Sequence, residues 1–309
     1  MKAYMYSRFI IVLTVYRLAK KYLPKKPGGR GPKRYSLASK MAVIAWIVLS
    51  STSYRRALNE LALSGFARRI GLEGIPSPAS VSRWKVSMEP YVRFLIRLSF
   101  FRLARMRKKA LASLLREALG ETPERQGFLG IADGTGFRLG RGSIYYEDVT
   151  GKRRSYLRLV ALYAPEIDAF YDAAAVPSEV SEVRAFRDYL LEVVIEAKIF
   201  WGLMTDKAYD SSEIIARLER AGIIPMIPAR GGKLRPKAGP RLRSNRNYET
   251  LTRLIGNMRS LVESAFSSMK SMASDVIRSQ RWEARITDAL TIVLAYNVAR
   301  LIATRETSR

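Results

Sequence analysis

The chain has 309 residues, with 54 Lys and Arg against 27 Asp and Glu, and a formal charge of +27 at pH 7. It has no Cys and no His, which excludes disulfides, thiolate and imidazole metal sites, cysteine nucleophiles and histidine-dependent triads. Chemistry must rest on carboxylates, Lys, Tyr, Ser or Thr, and so positive a field favours a polyanion as partner.

No acid occurs before Glu60, so the N-terminal arm is wholly cationic. The apolar runs "FIIVLTVY" and "MAVIAWIVLSS" are shorter than the roughly 20 residues that cross a bilayer, so no membrane span and a cytoplasmic location are expected. A helical pattern breaks at the Pro/Gly/Lys segment 23–36, a basic linker, and resumes near Leu37. Past the turn "LEGIPSPAS" a third helical segment opens, with Ser77 at the cap, Pro78 in the first turn, and Arg83 and Lys85 displayed near its start. In a chain of this charge that arrangement reads as the recognition helix of a helix-turn-helix unit. A further helix follows over 89–120.

From Gly127 the pattern turns strand-like in "GFLGIAD", "GSIYYEDV", "SYLRLVALYAP" and "DAFYDAAAVP". Next come a helix over 178–198, the strand "IFWGLMTD", a helix, and the strand "IIPMIPA". The order describes a mixed α/β sheet and divides the chain into a basic, helical, DNA-binding domain (1–125) and a catalytic domain (126–309). The loop 229–247 has seven basic residues and no acid; within it Arg230, Lys233, Arg235, Lys237, Arg241 and Arg243 are candidate phosphate contacts.

Three acids stand out against this basic background. Asp133 and Asp206 each end an apolar strand. In "TDKAYDSSEII" Asp210 is placed to cap the next helix with Glu213 completing a capping box, which leaves Asp206 without a local task. In "IGNMRSLVESAFSSMKSM", Ile255, Met258, Val262, Ala265, Met269 and Met272 form a buried helical stripe, and Arg259, Glu263 and Lys270 fall on one bordering row. If the strands ending in Asp133 and Asp206 are neighbours, the two carboxylates meet, and the later helix can bring Glu263 over them. Grouped carboxylates repel unless cations neutralise them, and an all-oxygen donor set suits Mg²⁺ or Mn²⁺, two ions of which promote phosphodiester displacement.

These pieces resemble a family. "IADGTGF", "TDKAYDSSE" and "RSLVESAFSSMK", in this order, resemble the DDE transposases of the prokaryotic insertion-sequence type, over about Gly127 to the C-terminus. The spacing from Arg259 to Glu263 to Lys270 matches the family signature, whereas Gly256 stands where that signature often has tyrosine. The resemblance implies a ribonuclease-H-like mixed five-stranded sheet flanked by helices, preceded by an all-α, helix-turn-helix-like domain. It further implies that Asp133, Asp206 and Glu263 bind two Mg²⁺ (or Mn²⁺) ions and that Arg259 and Lys270 contact phosphates. The implied partners are double-stranded DNA, both element ends and target, and a second copy of the chain in the paired-end complex. A ribonuclease-H-like nuclease without strand transfer, or a non-catalytic DNA-binding protein derived from a transposase, would share most of these features.

Overall fold

The N-terminal region of the computed structural model is helical, and Ser77, the cap read from the sequence, starts its helix. Residues 8–25, 35–106, 127–140, 156–231, 238–256 and 258–307 are described. Helices α1 (Arg8–Tyr22), α2 (Leu37–Ser50), α3 (Tyr54–Leu63) and α4 (Pro78–Met106) follow in order. Ser36 Oγ accepts a hydrogen bond from Ser39 N at 3.0 Å, and Ser77 Oγ accepts one from Ser80 N at 3.2 Å; each satisfies a donor that the first helical turn leaves unpaired. Helix α2 is apolar on all sides and is buried along nearly its whole length, as expected of a core helix. Trp46 Nε1, deep inside, donates to Ala57 O at 2.7 Å.

Two segments that the sequence presents separately are one helix. α4 continues through Pro90 to Met106, although a proline in a helix interior costs about 3 kcal/mol. Val81, Met88, Val92, Leu95, Ile96, Phe100 and Leu103 are all buried along it, at about 1.5–3 kcal/mol each for a fully buried apolar side chain, so packing outweighs the local break. The basic linker and the stretch with Arg107, Lys108 and Lys109 lie largely or wholly outside the described residues, as does the expected domain boundary at 125/126.

The strands are β1 (Phe128–Leu139), β2 (Tyr156–Ala164), β3 (Ala169–Pro177), β4 (Phe200–Met204), β5 (Ile224–Met226) and the two-residue β6 (Val276–Ile277). They form one mixed six-stranded sheet in the order β3-β2-β1-β4-β5, with β6 also paired to β1. Five strands therefore lie on the main path, as the resemblance implies, and β6 is an addition. The expected strand "GSIYYEDV" lies outside the described residues. Strands β2 and β3 are joined by a four-residue turn in which Asp168 N donates to Pro165 O at 3.2 Å, which fixes them as an antiparallel hairpin. β1 pairs in parallel with β4, from Phe128↔Phe200 to Ile131↔Met204, and β4 pairs in parallel with β5.

Between β3 and β4 run α5 (Glu182–Ala185), a π-turn (Phe186–Leu190) and α6 (Leu191–Ala197). After β4 come a 3₁₀ turn (Lys207–Tyr209), α7 (Ser212–Arg220), then α8 (Gly239–Ile255), α9 (Arg259–Ala273) and α10 (Trp282–Thr307). By length and composition α10 could cross a membrane, yet 83% of its apolar window is buried inside the protein, and it packs with α1 and α2.

Contacts divide the chain into two compact units. One comprises Met1–Leu103, Gly136–Leu157 and Ser267–Arg309; the other comprises Ala104–Thr135 and Arg158–Phe266. The first has its core in α1, α2, the buried face of α4, and α10. The second has its core in the apolar residues of the strands, such as Ile131, Val160, Phe170 and Leu203, with Leu191, Val194, Ile214 and Leu218 from the helices.

Candidate active site

The parallel register of β1 and β4 creates the site. Their last pair is Ile131↔Met204, and Asp133 and Asp206 each lie two residues beyond it, so neighbouring strands deliver both carboxylates to one place. Asp133 is not at the end of its strand as the sequence suggests: β1 continues through the glycines at 134 and 136 to Leu139, where its last two residues pair with β6. Asp133 is nearly buried. Burial raises the pKa of its carboxyl; the Gly134 N–H and Arg259 oppose this, while the charges of Asp206 and Glu263 add to it.

Asp206 has a local task after all. It caps the 3₁₀ turn, its side chain accepting a hydrogen bond from Ala208 N at 2.5 Å. Asp210 does not cap α7, whose N-cap is Ser211 with no side-chain hydrogen bond. Instead Asp210 is buried and held by Arg241, with Nε–H donating to Oδ1 at 2.7 Å and a second contact from Nη2, and by Arg230 N at 2.9 Å. Burial alone would raise its pKa, but the hydrogen bonds from Arg241 and Arg230 N outweigh it and hold the carboxyl below the usual range. A cap needs only the residue before a helix, whereas this ion pair needs α8, 31 residues along, which local patterning cannot show.

Helix α9 carries the third expected acid. Gly256, with φ +76°, ends α8, its N–H donating to Thr252 O. The break resets the chain so that α9 begins at Arg259, and the positive φ of Gly256 is one that glycine, lacking a Cβ, adopts without strain. Met258, Val262, Ala265 and Met269 are buried as the stripe requires, Met272 is half-buried, and the side chain of Ile255 lies outside the description. Phe266 stacks on Phe170 of β3, with centroids 5.5 Å apart, fixing the middle of the helix against the sheet. Arg259 places Nη2 3.6 Å from Asp133 Oδ1. Glu263, one turn further on, is exposed and near enough for its charge to act on Asp133.

Two groups join the site that the sequence does not announce. Glu182, the first residue of α5, is half-buried; burial raises its pKa, as do Asp133 and Asp206, against Arg158 and Arg259. Tyr209 is fully buried, and its hydroxyl has no hydrogen-bond partner among the described residues; burial first, then the charges of Glu182, Asp133 and Asp206, push its pKa well above that of ordinary tyrosine. A glutamate at a helix start and a tyrosine in a turn carry no distinctive sequence signal.

Lys270 belongs to the first unit, where its ammonium sits 5.6 Å from the Phe137 ring centroid and burial lowers its pKa, with Asp275 acting in the opposite direction. Arg83 is exposed. Lys85 is a correction: it is completely buried, with Nζ 2.5 Å from Asp288 Oδ1 and 2.7 Å from the Tyr54 hydroxyl, so it offers nothing to a phosphate. Burial works against its charge, but Asp288 and Tyr54 outweigh burial and keep the pKa above the ordinary value. Arg230 and Arg241 are tied to Asp210, Arg243 forms an ion pair with Glu219 at 3.1 Å, and Lys233, Arg235 and Lys237 lie outside the described residues.

Among the described residues no three acids converge closely enough to hold one ion as the side chains lie. The chemistry of the donor set nevertheless fits a hard divalent cation: four carboxylates, Asp133, Asp206, Glu182 and Glu263, face two guanidiniums, Arg158 and Arg259, and the buried Tyr209 hydroxyl beside them is unpartnered. A surplus of negative charge gathered at one place in a strongly cationic chain is what bound divalent cations neutralise. Residues 127–298 match the family model described as "Transposase DDE domain". No curated protein and no solved structure matches the chain.

Proposed function

This chain belongs to the DDE transposase family, whose domain covers more than half of its length, and from that premise we propose that it binds the inverted-repeat ends of an insertion sequence and catalyses their cleavage and transfer into target DNA. The observation that carries this reading is the placement of Asp133 and Asp206 two residues beyond the last β1–β4 pair, with Arg259 and Glu263 brought to them by α9.

Asp133, Asp206 and Glu263 are the residues that would hold Mg²⁺ or Mn²⁺. Bound there, two such ions supply an activated oxygen nucleophile and stabilise the leaving oxygen of a phosphodiester displacement. The chain's own groups do the rest. Burial of Asp133 keeps the site in low dielectric, where its charges act strongly. Arg259, half-buried beside Asp133, can exchange a carboxylate for a phosphate oxygen, since a guanidinium pairs with either. The reaction is hydrolysis at the element end followed by transesterification, in which the freed 3′-hydroxyl displaces a target phosphodiester. The basic, helical N-terminal region, with Arg83 exposed at the start of α4, supports recognition of the ends, and joining two ends calls for two copies of the chain. A cytoplasmic, nucleoid-associated location follows from the substrate.

The test is Mg²⁺-dependent cleavage of end-bearing DNA by the full chain, followed by strand transfer with pre-cleaved ends. Cleavage by wild type and none by D133N supports the reading; equal cleavage by both overturns it. Cleavage without transfer reduces the function to a nuclease. DNA affinity should fall steeply with salt, with a log–log slope of about 0.9 per phosphate contact.

A further inference from the structure

Glu182 opens α5 directly after β3, yet the helix does not need it there: Ser181 already caps the turn, accepting from Arg184 N at 3.3 Å. Among the described residues no hydrogen bond or ion pair holds the Glu182 carboxylate. Its position is nonetheless tightly defined. A Cβ on Gly134, the residue after Asp133, would stand 2.6 Å from both Cδ and Oε1 of Glu182, so the carboxylate lies over β1 in space left free by a missing side chain. The helix that carries it is locked to the turn that carries Asp206, since Phe186 packs edge-on against Tyr209 with centroids 5.5 Å apart. The Tyr209 hydroxyl, fully buried and without a partner among the described residues, lies among the charges of Glu182, Asp133 and Asp206. A buried hydroxyl with no partner is unfavourable, and here it points to a polar ligand at the place where these acids face one another.

We propose that Glu182 is a fourth carboxylate ligand of the divalent-cation site, meeting Asp133 and Asp206 from the helix after β3 while Glu263 approaches from α9. The assignment rests on the reading of Asp133 and Asp206 as the core of that site. It gives Gly134 a role as well: the glycine keeps open the space through which the Glu182 carboxylate reaches β1.

The test is Mn²⁺ binding to the full chain without DNA, followed by calorimetry and by the electron paramagnetic resonance of free Mn²⁺. Glu182→Gln keeps the size and removes the charge. Gly134→Ala keeps the charge and displaces it, because all three of the nearest atoms met by the new methyl belong to the flexible Glu182 side chain. We expect Mn²⁺ affinity to fall about tenfold or more in E182Q and to a similar extent in G134A. The double variant should be no weaker than E182Q alone, as for two changes acting through one group, and melting temperatures without metal should be unchanged or higher. If E182Q binds Mn²⁺ as tightly as wild type while D133N does not, Glu182 is no ligand and the reading of the site survives. If D133N also binds normally, both fail. Should E182Q not fold, G134A decides between the same outcomes.

Discussion

Two of the buried groups of charge in this protein are treated in opposite ways. In the first unit, Lys85 meets Asp288 at 2.5 Å, with the Tyr54 and Ser279 hydroxyls closing the network at 2.5–2.7 Å: one cation, one anion and hydroxyls between them. In the second unit, four carboxylates face two guanidiniums, and the buried Asp133 has its nearest one 3.6 Å away. A balanced buried pair serves the fold and is costly to break. An under-neutralised group is tolerated where something else supplies the missing charge, which is why perturbed acids mark candidate sites. The lesson is that burial of a charge alone does not identify function; the mismatch between the charges does.

Breaking the two sites should therefore have opposite effects. The largest is on chemistry: D133N should reduce DNA cleavage by orders of magnitude while leaving DNA binding close to wild type, read by cleavage and by band-shift titration. The same change should raise the melting temperature at pH 7. With a folded pKa above the unfolded value of about 3.9, Asp133 holds its proton more tightly when folded, so stability falls as pH rises through the window between the two values. A melting temperature below that of wild type would show that the site is not under-neutralised.

K85A should do the reverse, costing about 3–5 kcal/mol because Asp288 is left buried and unpaired, measured by chemical denaturation. Replacing Lys85 and Asp288 together by Met and Leu should recover much of the loss. If K85A folds normally and loses only DNA affinity, the lysine is a phosphate contact and the buried pair is dispensable.

Smaller effects sharpen the contrast between two neighbouring acids. D210N should lose about 1.5–3 kcal/mol, the worth of charged hydrogen bonds, and keep most activity. The contribution of Asp210 has the ordinary acid sign: complete above the unfolded pKa of about 3.9, and lost as pH falls through the lower folded value. The acid limb of the wild-type stability curve should thus be missing in part from D210N. D206A should reduce cleavage sharply, with a modest stability loss from the 3₁₀ cap. The smallest expected change is S77A, about 0.5–2 kcal/mol, with no effect on cleavage.

Local chemistry in the sequence was enough for much of this. Ser36 and Ser77 start helices because a hydroxyl before a helix reaches its free N–H groups; the period-3.6 stripe of Met258, Val262, Ala265 and Met269 is buried because one face of a helix is what a core accepts; and three acids stand out because a chain with +27 charge and no His or Cys has few other groups for chemistry. Tertiary structure decided what depended on distant partners. Pro90 remains inside a helix because packing around α4 outweighs a broken turn. Lys85 is buried, not displayed, because Asp288, about 200 residues later, pairs with it. Asp210 answers to Arg241 and not to the helix beside it, and Glu182 lies over Gly134, the residue after Asp133, only because β3 and β1 share a sheet and Gly134 has no side chain. Helix caps and apolar stripes are set within a few residues of chain, whereas the partner of a charge is set by the fold that brings remote residues together.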